Sequence, residues 1–211
     1  MKEFQSNRGK LATLDRANVD TDQIIAKQFL KSIKRTGYGE NLFFDWRYLP
    51  DGQDNPDFIL NSPRFKNASI LVTRNNFGCG SSREHAVWAV VQYGFEVVIA
   101  PTMDDIPAFA DIFYNNSIKN GLLCISLKDS EVEEIFQMVG RYVGLEATVN
   151  LEEQRITLHI PEVDEISFHF DIDSAVKNHL IRGLDDIGLS LQHLKEIEKF
   201  ETKHSPQLQS A

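Results

Sequence analysis

An α/β fold, a mixed sheet with flanking helices, is what this sequence predicts, and three observations carry the prediction. A β-rich run, Ala68-Ser69-Ile70-Leu71-Val72-Thr73, passes through the turn-rich Asn75-Asn76-Phe77-Gly78-Cys79-Gly80 into a helical stretch that ends at Tyr93 and is closed by Gly94. Strand-like and helical runs then keep alternating as far as Gly144. Beyond Gly144 the texture changes to short segments of alternating polarity, the pattern of strands that pair antiparallel.

Taken in order, Val97-Val98-Ile99-Ala100 before Pro101 forms the next strand, and a β-α-β unit of this kind pairs its strands in parallel. Residues 106–114 are expected to be helical with Pro107 in the first turn, where its missing N–H costs nothing. Leu122-Leu123-Cys124-Ile125-Ser126-Leu127 predicts a buried strand, and Ser130-x-x-Glu133 a capping box that opens a third helix. Residues 147–150, 155–160 and 166–170 are the short antiparallel strands, after which the chain returns to helix. Residues 201–211 are polar and contain a proline, so they are expected to fray as a tail, leaving 1–200 as one domain. Between Gly37 and Pro63, repeated glycines and prolines around Leu42-Phe43-Phe44-Asp45-Trp46 predict a long loop with apolar anchors, a kind of segment that often carries function.

Composition narrows the chemistry. At 211 residues one hydrophobic core is the default. No apolar run approaches the ~20 residues that a membrane span needs. Met1-Lys2-Glu3-Phe4-Gln5-Ser6 has neither an apolar core nor a cleavage site for export, so a cytoplasmic location is expected. Lysine and arginine total 22 against 31 acids, a formal charge of −9, and no basic stripe interrupts it. Nucleic-acid binding is therefore disfavoured. An anionic metabolite remains possible where arginines and helix N-termini concentrate. The cysteines, Cys79 and Cys124, form no C-x-x-C or Cys/His cluster, which argues against a disulfide framework and against a metal or cofactor site of the chain's own.

The densest chemical signal is Gly78-Cys79-Gly80-Ser81-Ser82-Arg83-Glu84-His85, where a loop delivers backbone to a helix N-terminus. Free N–H groups, two hydroxyls and Arg83 together suit a carboxylate or phosphate. A second interpretation stands beside it with equal weight. Ser81-x-x-Glu84 fits a capping box, in which case serine and glutamate only satisfy backbone donors and the glycines only make a turn. No lysine follows Gly80, which excludes a P-loop. The flanks of Ser81 lack the Gly-x-Ser-x-Gly elbow of hydrolases. His85, alone, reads as a packed residue.

The run Asn76-Phe77-Gly78-Cys79-Gly80-Ser81-Ser82-Arg83-Glu84-His85-Ala86 resembles the swivel-domain signature of the aconitase superfamily. Upstream, Val19-Asp20-Thr21-Asp22-Gln23-Ile24-Ile25, Lys27-Gln28-Phe29-Leu30, Arg35-Thr36-Gly37-Tyr38-Gly39 and Leu42-Phe43-Phe44-Asp45-Trp46-Arg47 resemble the bacterial isopropylmalate isomerase small-subunit family. So do Phe109-Ala110-Asp111-Ile112-Phe113-Tyr114-Asn115-Asn116, Lys119-Asn120-Gly121-Leu122-Leu123 and Gly183-Leu184-Asp185-Asp186-Ile187-Gly188-Leu189. Nearly the whole chain is covered. Ala26 and Val87 stand where many members have proline, and residues 103–108 look like an insertion.

The resemblance implies an aconitase-type swivel domain of β/β/α layers. It implies a hydro-lyase of leucine biosynthesis that interconverts 2-isopropylmalate and 3-isopropylmalate by dehydration and rehydration. The partner would be a large subunit with a [4Fe–4S] cluster, and this chain would hold neither metal nor cofactor. By the same resemblance Ser81 is the alkoxide base and Ser82 a hydroxyl donor to substrate. Arg83 grips carboxylate and favours the charged serine, and Asp22 orients a histidine on the partner. A second carboxylate-binding arginine is expected at Arg35, and Ile33 is expected to face the isopropyl group. Alternatives for these residues are a cap for Asp22 and a solvated surface charge for Arg35. Related functions are a small subunit acting on homoaconitate, citraconate or dimethylmalate, and a non-catalytic anion-binding regulatory module.

Overall fold

The computed structural model describes residues 1–31, 34–161, 165–184, 188, 191 and 193–208. Its centre is a mixed seven-stranded sheet of order β4-β3-β2-β1-β5-β6-β7. Strands β1 (Ser6–Leu14), β2 (Ile70–Thr73), β3 (Val97–Thr102) and β4 (Leu123–Lys128) run parallel. On the other side of β1 the strands β5 (Glu146–Asn150), β6 (Arg155–His159) and β7 (Ile166–His169) form an antiparallel meander. The alternation of strand and helix thus ends where the sequence pattern changes, after Gly144.

Strand β1 has no counterpart among the sequence expectations, although it is the axis of the sheet. Its two halves have different partners. Leu11 to Leu14 pair in parallel with Ile70 to Thr73, whereas Ser6 to Lys10 pair antiparallel with Asn150 to Glu146. The second half is mostly buried, but the first carries Ser6, Arg8, Gly9 and Lys10, so the strand shows no continuous apolar run.

The helices are α1 (Thr21–Ile24), α2 (Phe44–Arg47), α3 (Glu84–Tyr93), α4 (Asp111–Asn120), α5 (Asp129–Arg141), α6 (Ser174–Arg182) and α7 (Leu194–Leu208). α5 packs across β1 to β4, and α3 packs on α4. Arg74, just past β2, donates to Asp15 (2.6 Å) and Glu133 (2.9 Å) and stacks over Phe136, which ties the end of β2 to α5.

Two local expectations are corrected. The helix predicted over residues 106–114 begins only at Asp111. Met103 and Ile106 close a tight reverse turn (3.0 and 2.7 Å), and Pro107 and Ala108 lie outside the helix, their carbonyls accepting from Asn76 (2.8 Å) and Phe77 (3.0 Å). The capping box at Ser130 and Glu133 does not form. α5 starts at Asp129, Glu131 accepts from the Lys128 N–H (3.0 Å), and Glu133 is engaged by Arg74. Residues 201–208, the first part of the expected tail, lie in α7. The long loop between Gly37 and Pro63 contains α2 and several short 3-10 turns, anchored by the buried Tyr38, Leu42, Phe43, Phe58 and Leu60.

Candidate active site

The glycine loop leaves β2 between two segments, residues 18–21 and residues 107–110. On one side Asn18 donates to the Asn75 carbonyl (3.0 Å), Gly78 to Val19 (2.8 Å) and Thr21 to Cys79 (2.8 Å). On the other, Asn76 and Phe77 donate to Pro107 and Ala108, and Ala110 donates back to Phe77 (3.1 Å). The sheet is in effect extended by a few residues past its strand ends, and the loop emerges from this extension. In open α/β sheets the carboxyl ends of parallel strands are where ligands bind.

Two glycines are dictated by what surrounds them. Gly78 (φ +77°) lies so close to the Phe113 ring, and Gly80 (φ +90°) to the Asp20 carboxylate, that a Cβ on either would overlap its neighbour. Asp20 itself caps α1. Its Oδ1 accepts from the Asp22 N–H (2.6 Å), and Gln23 Oε1 accepts from the Asp20 N–H (3.0 Å), which completes a capping box.

Ser81 and Ser82 are exposed. Neither caps α3: the N-cap is Arg83, without a side-chain cap bond, and Glu84 Oε1 accepts instead from Asn120 Nδ2 (3.0 Å). The capping-box alternative for Ser81 and Glu84 is thereby removed. The Arg83 side chain, 12% exposed, is ion-paired through Nη1 with Asp22 Oδ1, and Lys27 Nζ approaches the other oxygen, Oδ2, at 3.3 Å. Asp22 is accordingly not a cap. Among the described residues its partners are two cations, Arg83 and Lys27.

Four of the six residues singled out from the sequence, Ser81, Ser82, Arg83 and Asp22, are brought together. Arg35 docks further along α3. Its carbonyl accepts from Gln92 Nε2 (2.8 Å), and its exposed guanidinium lies 5.8 Å from the centre of the Trp88 ring. Tyr38 donates to Gln92 Oε1 (2.9 Å), so one glutamine clasps the segment from both sides. Ile33 lies outside the described residues. His85 is packed, as its isolation suggested, against Tyr38 (5.2 Å) and Trp88 (4.8 Å).

Asp20, Thr21 and Lys27 are the local residues that sequence reasoning missed. Asp20-x-x-Gln23 is a legible capping signature, whereas nothing in the neighbourhood of Lys27 marks it as a partner of Asp22.

The thiols do not suit a cluster. Burial, then the nearby Asp20 carboxylate, pushes the Cys79 thiol up, and Cys124, fully buried in β4, is pushed up to about 12. Among the described residues no three His, Cys, Asp or Glu side chains converge as metal ligands.

Comparison with known proteins bears on the family and the fold. Residues 1–130 match the aconitase C-terminal domain, and residues 186–207 match the C-terminal domain of the 3-isopropylmalate dehydratase small subunit. The chain is 54% identical over 209 residues to the 3-isopropylmalate dehydratase small subunit of Desulforapulum autotrophicum, covering 96% of each. Its fold resembles the crystal structure of the 3-isopropylmalate dehydratase from Methanocaldococcus jannaschii, with a TM-score of 0.61 at 22% identity, covering 94% of this chain and 98% of that one. A relative 54% identical and covered over 96% of its length, matches to both family domains and an aconitase-type swivel fold lead to one conclusion: the chain belongs to the family of 3-isopropylmalate dehydratase small subunits.

Proposed function

We propose that this chain is the small subunit of isopropylmalate isomerase, a hydro-lyase of leucine biosynthesis that interconverts 2-isopropylmalate and 3-isopropylmalate by dehydration and rehydration. Isopropylmaleate is the intermediate. The observation that carries the reading is the exposed Ser81-Ser82 pair next to an arginine anchored by Asp22, at the end of a parallel sheet. Removing a proton from the carbon beside a carboxylate needs a strong base close by, and a neutral hydroxyl is too weak. Ser81 acts as the alkoxide base, favoured by the positive end of α3 and by Arg83. Ser82 donates a hydrogen bond to the substrate, Arg83 binds a carboxylate, and Asp22 fixes the direction of Arg83. Arg35 takes the second carboxylate and Ile33 faces the isopropyl group.

Among the described residues no donor set fits an iron–sulfur cluster, and the reading assigns the [4Fe–4S] group to a large subunit over which the domain closes. Residues 1–200 act as one domain, in the cytoplasm, with neither nucleic acid nor membrane as partner. No described helix is long and apolar enough to cross a membrane. Co-expression with the candidate large subunit, followed by an anaerobic hydration assay on isopropylmaleate, tests the reading. The lone chain is expected to be inert and free of iron–sulfur absorbance, and the pair active. Stoichiometric iron on the lone chain, or a pair that prefers homoaconitate, citraconate or dimethylmalate, overturns it.

A further inference from the structure

Thr21 is 2% exposed and stands between two carboxylates in sequence, yet its own polar groups turn to the loop that bears the serines. Its backbone N–H donates to the Cys79 carbonyl and its hydroxyl to the Ser81 carbonyl, each at 2.8 Å. We propose that Thr21 is a positioning residue for the reaction, aiming Ser81 and Ser82 by pinning the carbonyls on either side of Gly80. The inference rests on the reading of Ser81 as the base.

The reason lies in peptide geometry. In a trans peptide the C=O and the following N–H point in opposite directions. Holding the Cys79 and Ser81 carbonyls inward therefore turns the N–H groups of Gly80 and Ser82 away from Thr21. Neither N–H has a hydrogen-bond partner among the described residues. The two held peptides, Cys79–Gly80 and Ser81–Ser82, flank the Gly80–Ser81 peptide, and so narrow the backbone rotations that set the direction of the Ser81 Cα–Cβ bond. The hydroxyl of Thr21 is needed for the second anchor. Gly80, next to Ser81, has the conformational freedom of a glycine, so losing an anchor there would let the serines wander. A base displaced by about 1 Å costs on the order of 100-fold in rate.

The test contrasts Thr21→Val, which keeps the shape and deletes the hydroxyl, with Thr21→Ser, which keeps it. In the chain alone, hydrogen exchange of peptides covering residues 79–84 is expected to accelerate several-fold in Thr21→Val and to stay at the wild-type rate in Thr21→Ser. With the large subunit added, Thr21→Val is expected to lower kcat by about 10- to 100-fold. KM should stay within about threefold, and the primary isotope effect should rise with substrate deuterated at the carbon that loses its proton. Thr21→Ser should restore all three. If Thr21→Val melts well below the wild type, Thr21→Ala against Thr21→Ser supplies the same contrast. A Thr21→Val pair with kcat within twofold of wild type, or one whose deficit is lost subunit binding, overturns the proposal. An inert wild-type pair overturns the isomerase reading instead, while the exchange measurement still decides what Thr21 does to the loop.

Discussion

Asp22 and Arg83 join the first turn of α1 to the N-cap of α3 through one carboxylate oxygen, and Lys27 occupies the other. Arg83 is far more buried than Asp22, which is 36% exposed, so the arginine has more to lose if the pair is broken. Asp22→Asn is expected to destabilise the chain by about 1–2 kcal/mol, less than a fully buried pair because solvent screens the aspartate. It should also raise KM, because Arg83 loses its aim. Denaturant unfolding and steady-state kinetics of the reconstituted pair check both. Lys27→Met, at a position 73% exposed, is expected to cost less than about 1 kcal/mol.

Ser81→Ala separates chemistry from stability. No side chain caps α3, so removing this hydroxyl leaves no helix donor newly unsatisfied. The unfolding midpoint should stay within about 0.5 kcal/mol of wild type, the range of a surface change, while turnover with the large subunit falls by orders of magnitude. A loss of about 1 kcal/mol with turnover preserved is the signature of a missing cap and contradicts the assignment.

Gly80→Ala puts a methyl group into the Asp20 carboxylate at a positive φ. An overpacked, strained position of this kind costs about 1–3 kcal/mol. Adding Asp20→Gly removes the obstruction, so the double variant should be less destabilised than the sum of the single ones in a denaturation cycle. Strict additivity would show that the two residues do not touch.

Glu96 links the N-terminal segment to the turn before β3. Burial pushes its carboxyl up, but hydrogen bonds from Lys2 (2.9 Å) and Asn7 (2.8 Å) outweigh it and hold the group below its ordinary value. A carboxyl depressed in the folded state contributes stability that is fully present above its unfolded value, about 4.3, and lost as the pH falls through its folded value. Glu96→Gln should therefore narrow the gap in melting temperature from wild type as the pH drops below about 4. A gap that is constant from pH 7 to pH 3 contradicts the linkage.

How much of the fold is legible in the sequence depends on whether the signal is local. β2, the glycine loop, α3 and β3 follow one another with periodicity and turn residues in register, and the pattern places them nearly to the residue. β1 escapes because Arg8, Gly9 and Lys10 lie in the half that pairs with β5, a partner far along the chain and invisible to any short window. The helix start at Asp111 escapes because Pro107 fits a first turn equally well, and only the carbonyls taken by Asn76 and Phe77 decide against it. At the site, Ser81, Ser82 and Arg83 are contiguous and stand out. Thr21 gains meaning only from the Cys79 and Ser81 carbonyls, dozens of positions away, and Lys27 only from an aspartate that is itself tied to the distant Arg83.

The divided pairing of β1 also fixes the order in which the polypeptide can become complete as it is made. The stretch that resembles the aconitase C-terminal domain stops at residue 130, but the strand that covers the first half of β1 begins at Glu146. A nascent chain released at that boundary would expose the backbone of Ser6 to Lys10 as a bare edge, an invitation to pair with other chains. The end of the match to the aconitase C-terminal domain is thus not a border of cooperative folding, and a fragment cut there should associate with itself.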